Sequence, residues 1–97
     1  MRIEITEADI ENAKTYYNKS YSRARFCPIA IAAKRAFGIN SITVHETIFR
    51  LEQSKFYMLI SSDFKCYYYW LPEIAANKAK EFDMSLSMTP FSFEIEV

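Results

Sequence analysis

Cys27-Pro28-Ile29-Ala30-Ile31-Ala32-Ala33-Lys34-Arg35-Ala36-Phe37-Gly38 is the most legible stretch of the chain. Pro28 suits the first helical position, because the N–H it lacks is one that a helix start leaves unpaired anyway. Ile29, Ala33 and Phe37 share one helical face, while Lys34 and Arg35 lie elsewhere. Gly38, the only glycine, stands where a left-handed residue closes a helix. The stretch predicts a helix that begins at Pro28 and stops at Phe37.

Upstream, Ile3 and Ile5 alternate with Arg2 and Glu4, which predicts a short strand. Thr6 opens Thr-Glu-Ala-Asp, and its hydroxyl can accept the third helical N–H. Ile10, Ala13 and Tyr17 then predict a helix to about Tyr17. Residues 18–26 read as a polar, basic loop. Downstream, Ile42–Leu51, Lys55–Ser61 and Phe64–Trp70 are β-rich and separated by short connections, which predicts an antiparallel meander. Pro72 begins a third helix with Ala75, Ala79 and Phe82 on one face, and Met84–Thr89 reads as a connection. Phe91, Phe93, Ile95 and Val97 alternate with polar residues in a last strand. The order β-α-α-β-β-β-α-β predicts one α+β domain over residues 1–97, a mostly antiparallel sheet with helices on one face.

The 97 residues, 51% hydrophobic and 25% charged, suffice for one core. No charged segment followed by an apolar one opens the chain, and the longest apolar run, Cys27–Ala33, is far too short to span a bilayer. A soluble protein of the cytoplasm, away from membranes, is expected. One glycine rules out glycine-rich phosphate loops.

The segments Cys27-Pro28-Ile29-Ala30-Ile31-Ala32, Leu71-Pro72, Phe82-Asp83 and Pro90-Phe91-Ser92-Phe93-Glu94 are similar to the "CPIALAL" helix start and the "LP…FD…PFSFE" tail of small proteins encoded in phages and prophages. The resemblance covers most of the chain in order and spacing. The basic loop Lys19–Arg25 and the run Tyr67-Tyr68-Tyr69-Trp70 depart from it. It implies an accessory protein of a mobile element, acting in a bacterial host cell. Such proteins include inhibitors of host defence, anti-CRISPR proteins among them.

Chemistry-bearing residues are few. Cys27 precedes a helix, where a thiol can be activated, and His45 is the only histidine. A buried cap residue is the plainer reading of Cys27. Cys27, His45 and Cys66 lack metal-ligand spacing, and Ser62-Asp63-Phe64-Lys65 matches S-x-x-K only at a predicted turn. Glu7, Asp9 and Glu11 read as solvated charges at a helix start. No enzyme, metal or cofactor is expected.

Charge is unevenly spread although the sum is +0. Residues 1–11 carry −3, residues 12–45 carry +6 with no acid, and residues 46–97 carry −3. Tyr16, Tyr17, Tyr21 and Phe26 interleave the basic stretch. Cations among aromatics suit protein hot spots and phosphates alike. In the tyrosine run, alternate rings must point to opposite faces, either Tyr68 and Trp70 or Tyr67 and Tyr69 being left open. The expected partner-binding residues are Tyr21, Arg23, Arg25, Lys34, Arg35, Tyr67 and Tyr69, and the expected partner is a host protein complex. The alternative is nucleic acid held by segment 14–35, which the zero net charge disfavours. A homodimer through an open sheet face carrying some of Tyr57, Tyr67, Tyr69 and the last strand, or through that strand itself, is also expected.

Overall fold

The computed structural model describes residues 1–17, 27–49 and 53–96. Among them the elements are β1 (Arg2–Ile5), α1 (Glu7–Tyr17), α2 (Pro28–Phe37), β2 (Ile42–Phe49), β3 (Gln53–Ser62), β4 (Lys65–Trp70), α3 (Glu73–Ser85) and β5 (Phe91–Glu94). The α+β class and the element order are those read from the sequence. The sheet is not single. β2, β3 and β4 form an antiparallel meander, and β1 pairs with β5 in a separate antiparallel ribbon. The physical reason lies in α2, which packs against both β1 and β2 as well as α1 and α3. With a helix against β1 and β2, the two terminal strands pair with each other, Ile3 opposite Phe93 and Ile5 opposite Phe91. The N-terminal ammonium closes this ribbon by donating to the Ile95 carbonyl at 2.6 Å.

Local chemistry sets the helix ends. At α1 the Thr6 hydroxyl accepts from the Asp9 N–H at 3.3 Å, and the Asp9 carboxylate accepts from the Thr6 N–H at 2.9 Å. This reciprocal pair satisfies two amides that the helix start would leave open. At α2 the Cys27 sulfur accepts from the Ala30 N–H at 3.3 Å, and Gly38 closes the helix with φ 67°. Helix α3 starts one residue after Pro72 and runs through Met84 to Ser85, further than its sequence suggests; Leu86 at φ 54° ends it. The β3–β4 turn is Asp63-Phe64, with φ 49° and 64°. Phe64 is therefore a turn residue and not the start of a strand.

The core joins all elements. Ile3, Ile29, Ile42, Met58 and Phe82 are its largest fully buried hydrophobic side chains, beside Pro28. Ala30, Ala32 and Ala33 are buried with Pro28 and Ile29, so α2 is covered on more than the one face its pattern predicts.

Asp9 departs from the reading of a solvated acidic start. It is 2% exposed and receives a two-pronged contact from Arg35: one guanidinium nitrogen meets Oδ1 and the other donates to Oδ2 at 2.9 Å. The same nitrogen donates to the Glu4 carbonyl at 2.9 Å, tying α2 to β1 and α1. Burial pushes the Asp9 carboxyl up, but hydrogen bonds from Arg35 and Thr6 outweigh burial and hold it below the usual carboxylate range. A depressed folded value gives stability that is present above about pH 4 and is lost as pH falls through the lower folded value. Urea midpoints followed from pH 7 to pH 2 are expected to fall in the acid limb. Asp9→Asn is expected to flatten that limb and cost about 2 kcal/mol at pH 7.

Gly38 offers a second check. Nothing lies within 4 Å of the position a Cβ would take, so the only penalty of a side chain there is its left-handed backbone. Gly38→Ala is expected to lower stability by about 1 kcal/mol in the same assay, and Gly38→Asn by less.

Candidate functional site

The β2–β3–β4 register sorts side chains into two faces. Ile42, Val44, Phe56, Met58 and Ile60 face the helices and are buried. The residues between them point the other way. His45 pairs with Tyr57, Tyr57 with Trp70, and Leu59 with Tyr68, so these rings share the second face. They form a connected cluster. The Tyr57 ring stacks on His45 at 5.4 Å, lies 5.8 Å from Tyr68 and meets Trp70 edge-on at 6.0 Å. Such ring pairs add stability beyond the area they cover. Lys55 sits 5.4 Å from the Trp70 ring centroid, a cation–π distance. Thr43 Oγ1 lies 2.7 Å from His45 Nε2 and fixes the imidazole.

No described helix packs on this face. Tyr68 is 66% exposed and Trp70 58%, and Phe64 stands fully exposed at the β3–β4 hairpin tip. Phe64 also holds a left-handed backbone, which is unfavourable for a bulky aromatic and where glycine would be relaxed. An exposed ring in a strained turn is the kind of feature that binding surfaces retain.

The sequence-predicted residues are distributed differently. Tyr67 and Tyr69 lie on the helix-side face, opposite the buried Ile60 and Met58. Tyr69 packs against the core, 6.5 Å from the Phe37 ring, and Tyr67 remains 45% exposed at the sheet margin. The open face thus belongs to Tyr68 and Trp70. The register decides this, because Met58 and Ile60 must face the core. In the terminal strand, Phe93 is buried and Phe91 partly buried, so it offers no open aromatic face. Arg35 is engaged by Asp9 and the Glu4 carbonyl, and Lys34 is half-buried. Tyr21, Arg23 and Arg25 fall outside the described residues.

Two ion pairs join the first two charge blocks among the described residues. Asp9 neutralises Arg35, and Glu11 lies 3.4 Å from Lys14. On the open face, Lys55 is the only charged side chain among the described residues of Thr43–Thr47, Lys55–Ser61 and Cys66–Trp70 that point that way. One cation releases few counterions, so this face is poorly suited to a phosphate backbone.

Cys27 and His45 do not meet. Cys27 is buried at the α2 start, while His45 lies on the face of the sheet turned away from the helices. Burial pushes the Cys27 thiol up to about 11, against the opposing hydrogen bonds from Ala30 and Ile29. Cys66 is exposed. No group of three or more metal-ligating residues occurs among the described residues, and no helix there is long and apolar enough to cross a membrane.

No family model, curated protein or solved structure matches the chain.

The two thiols give a direct check on this geometry. In native buffer near pH 8, an aromatic disulfide reagent is expected to modify Cys66 quickly. Cys27 is expected to react only in denaturant, since burial and a raised thiol value both suppress its thiolate.

Proposed function

We propose that this chain is a non-enzymatic binding module of a phage or prophage, which docks on a host protein complex in the bacterial cytoplasm and modulates it. Inhibitors of host defence of the anti-CRISPR kind are the class intended. The mobile-element origin rests on the "CPIALAL"-like and "PFSFE"-like segments. The mode of action rests on one observation, the uncovered aromatic face of the β2–β3–β4 sheet.

That face has the composition of a protein hot spot. Tyr and Trp supply large rigid area at small entropic cost, and the scarcity of charge among the described residues of the face lowers the cost of removing water. His45, Tyr57, Tyr68 and Trp70 make the platform, and Phe64 is fully exposed at the tip of the same β3–β4 hairpin. A partner with a shallow apolar groove complements it. Nucleic acid is the weaker fit, since this face has stacking rings but, among its described residues, only one cation to track a backbone.

Affinity capture from infected host cells is the test. A stoichiometric partner is expected with the wild-type chain. Trp70→Ala is expected to weaken its binding roughly 30-fold, the effect of losing about 2 kcal/mol at a hot spot. Phe64→Gly is the sharper variant, because relief of the left-handed strain leaves the fold as stable or more so while the tip ring is lost. Binding unchanged by both variants, or a gel shift of oligonucleotides at low salt, overturns the proposal.

A further inference from the structure

We infer that the outer edge of β4 pairs antiparallel with β4 of a second copy of this chain, joining two meanders into one continuous sheet. This goes beyond the host-partner reading and does not depend on it.

Hydrogen-bond phase identifies the free groups. Ser62 and Lys65 close the two-residue turn, so their backbones face each other across the hairpin. The Ser61 N–H donates to the Ser41 carbonyl on β2 at 3.0 Å, and therefore points away from β4. Its opposite number, Cys66, is then a position whose own N–H and C=O point outward, as are Tyr68 and Trp70. Lys65, Tyr67 and Tyr69 point their backbone groups inward. The Leu71 N–H continues that phase, donating to the Phe56 carbonyl at 2.9 Å. Among the described residues, no strand pairs with the outer edge of β4.

Such an edge normally carries a proline, a bulge or a charge that discourages pairing. Cys66–Trp70 has none of these. It is also self-complementary. With Tyr68 opposite Tyr68 of the second copy, Cys66 faces Trp70 and Tyr67 faces Tyr69, and every outward N–H and C=O of the three residues finds a partner. Paired residues then lie on the same side of the sheet, so both copies keep their helices on one side and their aromatic platforms on the other. Cross-strand aromatic pairs form along the join. The two Lys65 ammonium groups fall at opposite ends, about 20 Å apart along the strands, beyond the reach of strong repulsion at physiological salt. The chain's net charge of +0 adds no long-range barrier.

Area sets the strength. Tyr67, Tyr68 and Trp70 are 45%, 66% and 58% exposed, on the order of 300 Å² of ring surface per copy, and an edge-to-edge join covers only part of it while the platform face stays open. That is below the ~800 Å² per partner of a standard stable interface. The strand backbone adds to it, and the result is a reversible dimer with micromolar dissociation.

Sedimentation velocity between 1 and 200 µM is expected to show a monomer–dimer equilibrium for the wild-type chain. Cys66→Pro removes one outward N–H and no hairpin bond, keeps every aromatic ring, and is expected to weaken the dimer at least tenfold. Cys66→Ala is expected to leave it unchanged. Because the platform stays intact in Cys66→Pro, its capture of a host partner is read separately. Amide exchange of the wild-type chain supplies a test that needs no variant. Cys66, Tyr68 and Trp70 amides are expected to gain protection as concentration rises, while those of Tyr67 and Tyr69 are protected throughout. A monomer over the whole range, or outward amides that exchange freely at 200 µM, overturns the inference.

Discussion

Burial of α2 is the constraint on which the remaining elements depend. The helix touches α1, β1, β2 and α3. Its short side chains make this possible: Ala30, Ala32 and Ala33 let neighbours approach closely on several sides, while Ile29 fills the space between them. Alanine also has the highest helix propensity, so the same residues favour the helix before it is packed. The terminal ribbon and the meander never need to hydrogen-bond to each other, because each packs on this helix. Loss of α2 would uncover the strands β1 and β2, which carry the buried Ile3 and Ile42.

One ion pair carries much of the orientation. Apolar packing around small alanines is permissive about rotation, whereas a two-pronged guanidinium–carboxylate contact is directional. Arg35 reaches from α2 to Asp9 on α1 and to the Glu4 carbonyl on β1, and Asp9 is already committed to the cap of α1. A single carboxylate therefore helps end one helix and dock another. Among the described residues, Asp9 and Glu11 of the acidic first block meet Arg35 and Lys14 of the basic block that follows it.

The meander is asymmetric in a way that matters for binding. Its inner face buries Ile42, Val44, Phe56, Met58 and Ile60 against the core, and its outer face carries the connected, open aromatic cluster. The rings on the outer face support one another by stacking, with Tyr57 at the centre of the contacts, so they form a platform rather than separate exposed side chains. β4 belongs to the platform and, among the described residues, also ends the sheet, which places its rings beside its outward-facing backbone groups.

Much of the secondary structure was legible in the sequence. Pro28 and Gly38 bracketed α2, Thr6 marked the α1 cap, and alternation picked out β1 and β5, because these signals act within one or two turns of chain. The spacing of Ala75, Ala79 and Phe82 named the buried face of α3 for the same reason. Sequence alone left open which rings of Tyr67-Tyr68-Tyr69-Trp70 face outward, since alternation gives two faces but not which one is covered. Tertiary structure decided it through β3: Met58 and Ile60 enter the core, their cross-strand partners follow, and Tyr68 and Trp70 remain in the open. It likewise decided that two sheets form rather than one, and that Asp9 and Arg35, 26 residues apart, meet. Both outcomes depend on where α2 comes to rest, and no local pattern of hydrophobicity or charge encodes the distance between residues that only packing brings together.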